Sequence, residues 1–389
     1  MNWKITEMVR VSRLVLLPVV MGLATPALAG GDFDTKEPAR KGEFGIKGKL
    51  SVELQTDTTF DSDDPGAELT DTYNTTELGV EVTFNRFLTG HGAFTFEPVL
   101  DPGPGEDRFF EDEGLYAEEL FANVALGRGV NVFGGKFNPA FGQAWDVTPG
   151  VYGVDFAEDY EIAERLGFGA SIERENTRLG TVTLTGSVYH LDTSGLSRSA
   201  FTDRGRRTLA DGGASNTENL DSFALALDAV KVPSLGGANL HFAYRFQHKG
   251  IGIDDLEDEH GFVAGINGSR SMNGVQFNWI GEIAHLDNAE GTRDDLWYYT
   301  VGGVATFANK YNIAVSYTGR PRDVAGGSDL DDMLFQVSAG VGLRNGWTVD
   351  AGYKYHVEND MDNHTVGVLL AKSFSFGPSD EQGQDIALK

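Results

Sequence analysis

The chain has 389 residues, a net charge of −27 at pH 7 and no cysteine. Such acidity argues against nucleic acid as a partner, because phosphate backbones are bound through Lys and Arg. The lack of cysteine excludes disulfides and cysteine-ligated zinc sites.

The first residues have the pattern of a secretory signal peptide. Lys4, Arg10 and Arg13 form a basic start, an apolar run covers residues 14–23, and Ala27-Leu28-Ala29 is a cleavage site. The apolar run is too short to span a bilayer. We expect residues 1–29 to be removed on export. They hold three of the 31 bases and one of the 58 acids, so the mature chain has 28 bases, 57 acids and a net charge of −29.

Beyond the signal, no window approaches 18 consecutive apolar residues, which excludes a helical membrane span. Apolar and polar residues instead alternate with period two, as in half-buried strands. Alternation does not assign the faces of the fourth strand. The pattern predicts sixteen strands, near 43–55, 76–84, 91–99, 115–126, 130–137, 166–172, 182–188, 223–229, 240–246, 260–268, 275–283, 297–307, 311–317, 333–343, 347–355 and 366–376.

The links between these strands alternate in length. Links after odd strands are mostly long and polar, such as the acidic link 56–74, and links after even strands are mostly short. Asn345-Gly346 is a two-residue hairpin signal. The pattern predicts an all-β fold, a single transmembrane antiparallel β-barrel over residues 30–376 with both termini in the periplasm. Residues 377–389 remain as a polar tail.

The two faces of the strands differ in charge. The apolar face carries only Lys372, near the end of the last strand, whereas the other face carries many charges. A soluble β-sandwich also alternates, but aromatics at both ends of the apolar face suit the two interfaces of a membrane. We therefore expect the charged face to line a water-filled lumen. It holds Glu43, Lys47, Lys49, Glu53, Glu77, Glu81, Arg165, Glu173, Asp228, Arg245, Lys249, Glu282, Asp350 and Lys354.

One stretch, residues 136–167, interrupts the series of strands. Between Asn138 and Ile162 it has five acids and no base. Since the wall is nearly balanced, these acids are expected to set a modest preference for cations. The alternative is that some of them pair with Arg165 or Lys136 and pin the stretch in place. The acids are Asp146, Asp155, Glu158, Asp159 and Glu161.

The sixteen strands, the long link after the fifth and an aromatic near the end of the last strand resemble the trimeric outer-membrane porins of Gram-negative bacteria. The resemblance covers residues 42–376. It implies a homotrimer among outer-membrane lipids and lipopolysaccharide, with a third extracellular loop folded into the lumen so that the five acids face bases on the wall. The strings 135–142 and 159–165 (GKFNPAFG and DYEIAER) are also similar to substrate-specific porins, including those linked to siderophore uptake. Unlike that family, this chain continues for thirteen residues after Phe376.

Two further sets of residues are candidates for the lumen. Lys47, Lys49 and Lys354 are expected to lie close together, because the first strand closes the barrel beside the last ones. They either face the loop acids or balance wall acids. The full basic set is Lys47, Lys49, Arg165, Arg245 and Lys354, and the candidate ligand-facing aromatics are Phe141, Trp145, Tyr152 and Tyr160, with Phe137 and Phe156 beside them.

The outer loops offer candidates for ion binding. Asp61, Asp63 and Asp64, or the run 254–259, carry oxygen ligands for calcium or magnesium, although neither has EF-hand spacing. Arg204, Arg206 and Arg207 suit a lipopolysaccharide phosphate. Solvated surface charge is the favoured explanation of both sets.

The leading hypothesis is a porin for passive diffusion of small hydrophilic solutes and ions. The alternative is an uptake porin whose aromatics hold one ligand, for example of the siderophore type. An outer-membrane barrel enzyme is a weaker hypothesis, since the chain has no G-x-S-x-G, H-E-x-x-H or phosphate-binding glycine loop. No catalytic residue, metal or cofactor is predicted.

Overall fold

The computed structural model describes residues 44–377 as a closed antiparallel barrel of sixteen strands, as predicted. The signal peptide and residues 378–389 lie outside the described residues. Two further strands of two residues each, Arg108–Phe109 and Ala200–Phe201, lie within links. The barrel strands are β1 Gly45–Ser62, β2 Thr70–Thr83, β3 Leu88–Pro98, β4 Glu113–Gly127, β5 Val130–Phe137, β6 Arg165–Thr177, β7 Gly180–Leu191, β8 Ser222–Val232, β9 Ala238–Gln247, β10 Glu259–Met272, β11 Val275–Asp287, β12 Asp295–Phe307, β13 Tyr311–Asp323, β14 Leu330–Gly342, β15 Trp347–Glu358 and β16 Met361–Phe376.

Each strand pairs with its neighbours in chain order, and the last strand closes the barrel. β16 lies antiparallel to β1 from Gly48 opposite Phe376 to Ser62 opposite Asn363. Closure leaves no free sheet edge among these strands, which removes the hazard that an unpaired edge carries.

The two faces of the wall have opposite character, as the alternation predicts. On β8, Leu225 and Leu227 are 48% and 41% exposed, whereas Ala224 and Ala226, which alternate with them, are 4% and 1% exposed. The exposed face is apolar along most strands, and the other face is small or polar. The apolar face therefore suits lipid, and the polar face lines the interior.

No helix in residues 44–377 is long and apolar enough to cross a membrane.

The links confirm the predicted alternation of long and short connections. Short turns follow the even strands, and several place residues in the left-handed region, for example Asn273 (φ 53°) and Gly274 (φ 79°). Asn345 and Gly346 also have positive φ, 62° and 77°. Their link is longer than the predicted two residues, because β14 ends at Gly342 and β15 begins at Trp347.

The first link is much shorter than predicted. The sequence assigns residues 56–74 to an acidic loop, but β1 extends to Ser62 and β2 begins at Thr70. Threonine hydroxyls hold the two strands together beyond the predicted ends: Thr56 and Thr72 are 3.0 Å apart, and Thr58 and Thr70 are 3.2 Å apart. Such cross-strand pairs stabilise a sheet without any apolar side chain, so apolar alternation did not detect them.

The faces of β4 were not assigned from the sequence because the strand contains a bulge. The register between β3 and β4 shifts beside Glu118, and both Glu118 and Glu119 are buried on the inner side. Leu115 before the bulge and Leu120 after it are both exposed. The extra residue exchanges odd and even positions, so no single period fits the strand.

Candidate functional site

The site centres on residues 138–164, called here the inner segment, which connect β5 to β6. The segment contains a short helix, Ala144–Val147, and a single 3-10 turn, Glu158–Tyr160. Its contacts are with the inward-facing side chains of distant strands, which are described in turn.

Glu282 of β11 forms the most extensive of these contacts. Its carboxylate accepts hydrogen bonds from the backbone N–H of Gln143 (2.9 Å) and Ala144 (2.9 Å) and from the hydroxyl of Tyr160 (2.6 Å). Glu282 is only 3% exposed. A buried carboxylate is stable only when donors satisfy it, and here all three donors come from the inner segment.

A buried histidine forms a second contact. The backbone N–H of Gly142 donates to Nε2 of His241 on β9 at 3.0 Å, and Nδ1 of the same ring lies 2.8 Å from Asp228 of β8. Because Nε2 accepts, the hydrogen-bond pattern assigns the ring proton to Nδ1, which donates to Asp228. The neutral ring thus links the segment to two wall strands.

On the other side of the barrel, ion pairs hold the segment. The carboxylate of Asp155 lies 2.7 Å from Nζ of Lys354 on β15, and the carboxylate of Asp159 lies 2.6 Å from the guanidinium of Arg320 on β13. Two of the five predicted acids are therefore opposed by bases. The sequence pointed to Arg165 or Lys136 as partners, whereas the actual bases come 199 and 161 residues later in the chain.

The segment also reaches the strand at which the barrel closes. The hydroxyl of Tyr152 donates to Asp57 of β1 at 2.7 Å, and Gln336 of β14 donates to the backbone carbonyl of Pro149 at 2.9 Å. The inner segment therefore spans the interior from β8 round to β1.

The predicted ligand-facing aromatics pack against the wall instead. Phe141, Trp145, Tyr152 and Tyr160 are each at most 5% exposed. Three of them join a buried cluster with wall residues such as Tyr298. They anchor the segment through apolar burial, and in this arrangement they present almost no surface to a ligand.

The base of the segment is held by Asn138. Its side-chain nitrogen donates to both Glu118 and Glu161 at 2.9 Å, and its backbone N–H donates to Glu119 at 3.0 Å. Its side-chain oxygen accepts from the backbone N–H of Glu164 at 2.8 Å. One asparagine thus joins β4 to both ends of the segment.

Burial and the charges of Glu118 and Asp146 raise the pKa of Glu161 well above the usual carboxyl value. Asn138 thus places Glu161 beside Glu118 of β4, and Asp146 is near enough to Glu161 for its charge to act there. Glu158 is 9% exposed beside the ion-paired Asp159.

The predicted lysine cluster does not form. Lys354 is opposite Thr365 of β16, and Thr365 is opposite Thr59 of β1. Lys354 is therefore displaced from Lys49 by ten residues along the strand direction, which is roughly 33 Å at the usual rise per residue. Lys47 instead pairs with Glu81 at 3.3 Å. The prediction that the three lysines lie close together used strand order alone. The register shifts neighbouring strands relative to one another along the barrel, and this shift separates the lysines.

The remaining predicted bases have separate partners. Arg245 contacts Glu259 at 2.7 Å and donates to the backbone carbonyl of Tyr160 at 2.6 Å, with its guanidinium over Phe141. Arg165 donates to the carbonyl of Ala163.

The outer-loop candidates are largely engaged within the protein. Asp255 accepts from the backbone of Gly213 and Gly252, and Asp258 pairs with His248. Arg204 stacks on Tyr116 at 3.8 Å and pairs with Glu164. Within residues 44–377, no group of three or more His, Asp or Glu is arranged to hold a metal ion.

Sequence comparisons identify no relative: no protein-family model matches the chain, and no curated protein matches its sequence. The fold, however, is similar to solved barrels. Pseudomonas putida OprB has a TM-score of 0.58 at 10% identity, over 86% of this chain and 94% of that chain. Salmonella typhi OmpF, solved with daunomycin, has a TM-score of 0.55 at 13% identity, over 86% of this chain and 98% of that chain. Pseudomonas aeruginosa OpdK, solved with vanillate, has a TM-score of 0.50 at 8% identity, over 85% of this chain and 99% of that chain.

Proposed function

We propose that this closed sixteen-stranded barrel, which has the fold of the outer-membrane porins, is a water-filled channel in the outer membrane for small hydrophilic solutes and ions. The inner segment is the constriction of that channel. The observation that carries the proposal is the set of contacts that holds this segment against inward-facing residues from β8 round to β1, since a segment fixed inside a barrel narrows its bore.

The channel prefers cations. Support comes from the charge of the chain and from Glu161, which lies beside Glu118 at the base of the segment and not in the ion pairs with Arg320 and Lys354. Because an acidic constriction raises the local concentration of cations and repels anions, the preference follows from the field. Outer-membrane lipid and lipopolysaccharide surround the apolar face, and three copies assemble through part of it.

The test is the zero-current potential of the purified chain in a planar bilayer under a potassium chloride gradient. A cation-selective potential is the expected result. An anion-selective potential would overturn the preference for cations, and a bilayer without conductance would overturn the channel itself.

The alternative of a ligand-binding uptake porin has less support. The aromatics on which it was based are buried against the wall. Linear, size-limited flux of neutral sugars supports diffusion, whereas saturation by one neutral solute would favour the uptake porin.

A further inference from the structure

Four carboxylates follow one another along the β1–β4 part of the interior. They are called here the acidic row. Glu53 faces Thr75 and Ser51 faces Glu77 in the β1–β2 register, so Glu53 and Glu77 are diagonal neighbours on the inner face. The acidic row consists of Glu53, Glu77, Glu118 and Glu161.

The row continues from β2 to the inner segment through short polar contacts. Glu77 faces Thr95 of β3, and the hydroxyl of Thr95 donates to Glu118 at 3.2 Å. Asn138 then donates to both Glu118 and Glu161. The row therefore crosses four neighbouring strands of the wall and ends on the segment.

The acidic row has no basic side chain in direct contact with it. In the described part of the chain, none of its four carboxylates has Lys or Arg within ion-pair distance, and Lys49 is the base whose charge reaches Glu53 and Glu77. Asp155 and Asp159 across the interior, by contrast, each have a base.

Two oxygens of the row lack a hydrogen-bond donor from the protein. They are Oε2 of Glu53, a residue only 2% exposed, and Oε1 of Glu77. An ionised carboxylate is costly to bury without a donor or a cation. These two oxygens are therefore the unmet hydrogen-bond acceptors of the row.

The short helix of the inner segment carries an acid that interacts with the row. It buries Ala144 and Trp145 but leaves Val147 41% exposed. Asp146 beside Val147 interacts electrostatically with both Glu77 and Glu161.

We infer that the acidic row is a binding track for organic cations that carry ammonium groups, and that it selects such solutes for passage. This inference rests on the proposed channel function. The carboxylates lie on successive strands rather than around one point, which suits spaced N–H donors better than a single chelated metal ion. Solutes that carry carboxylates are repelled by the same groups.

The test measures block of potassium current in planar bilayers by 1,4-diaminobutane, with succinate as the dianion of the same chain length. The wild-type chain is expected to show saturable block by the diamine and none by succinate. In E77Q/E118Q the apparent affinity for the diamine should fall about fivefold for each carboxylate, as for unit charges about 4 Å apart in water. The matched control E68Q/E106Q removes two exposed link glutamates and should leave block unchanged.

Equal block of wild type and E77Q/E118Q, or block by succinate, would overturn the inference while the channel function stands. Absence of potassium current in the wild type would overturn the channel function itself. If the double variant fails to assemble, E77Q alone carries the test, since Glu77 has an unpartnered oxygen; it should still lose about fivefold in affinity, and an unchanged affinity overturns the inference.

Discussion

Asp159 of the inner segment lies 2.6 Å from Arg320, a residue of β13 that has two further carboxylates at the same distance. These are Asp332 and Glu358. One guanidinium is therefore shared by three acids, and the group as a whole remains negative. Arg320 both positions the segment and limits the negative field beside it.

Replacing Arg320 by Met should widen the channel and make it more cation-selective. Asp159 loses its partner, and three acids lose their base, so conductance should rise and the cation-to-anion permeability ratio should increase by up to about fivefold. Single-channel recording and the zero-current potential measure both. The matched control is R293M, which breaks an exposed loop pair with Glu257 and should change neither. A more anion-selective R320M channel would contradict this account.

Replacing Glu282 by Ala should release the inner segment. Three donors lose their acceptor, which costs roughly 3 kcal/mol. Protease cleavage within residues 138–164 should then accelerate about hundredfold, because 1.4 kcal/mol corresponds to a factor of about ten. E282Q keeps an acceptor oxygen and should be intermediate, and E175A, at an exposed position, should resemble the wild type. A protected segment in E282A would show that other contacts suffice.

The selectivity for cations should depend on pH through Glu161. Its pKa is raised by burial and by the charges of Glu118 and Asp146, so it is protonated at pH values where an ordinary glutamate is already ionised. As the pH falls, Glu161 should lose its charge before an ordinary carboxylate does, and its contribution to the preference for cations should begin to decline above the usual carboxyl range near pH 4.3. In E161Q this early decline should be absent. Zero-current potentials across the pH range provide the measurement, and an identical pH profile in both proteins would refute the assignment.

A disulfide can test the position of the inner segment directly. A Cβ added at Gly352 of β15 would lie 2.9 Å from Cβ of Val151, close enough for bonding with a small adjustment. Because the chain has no cysteine, V151C/G352C contains a single possible intramolecular pair. Oxidation should produce a cross-link between positions 201 residues apart, detected by the faster migration of the denatured chain on a gel. Neither single variant should change in migration, and free thiols in the oxidised double variant would place the segment elsewhere.

The strands of the wall could be predicted from the sequence because the alternation of apolar and polar residues is visible within each strand by itself. A strand in lipid shows its period within a few residues, as Leu225 and Leu227 do, and each strand of the sixteen carries that information separately. The exceptions have local causes too: the bulge at Glu118 exchanges the faces of β4, and threonine pairs extend β1 and β2 where apolar residues are absent.

The interior could be predicted only in part, because its contacts are distant in sequence. Glu282 was recognised as an inward-facing charge, but nothing near it in the chain indicates that Gln143 and Tyr160 are its donors. Arg320 was not singled out, since it follows the last apolar residue used to define β13. The lysine cluster was wrong because register, unlike strand order, depends on the stagger of the whole barrel.

The position of Tyr152 has a consequence for the order of assembly. Its hydroxyl reaches Asp57 of β1 while Asp155, three residues later, reaches Lys354 of β15. These two strands are brought together only when β16 is added between them. The contacts that hold this part of the segment are therefore complete only when β16 joins β15 to β1, so closing the wall and narrowing the bore depend on the same strand pairing.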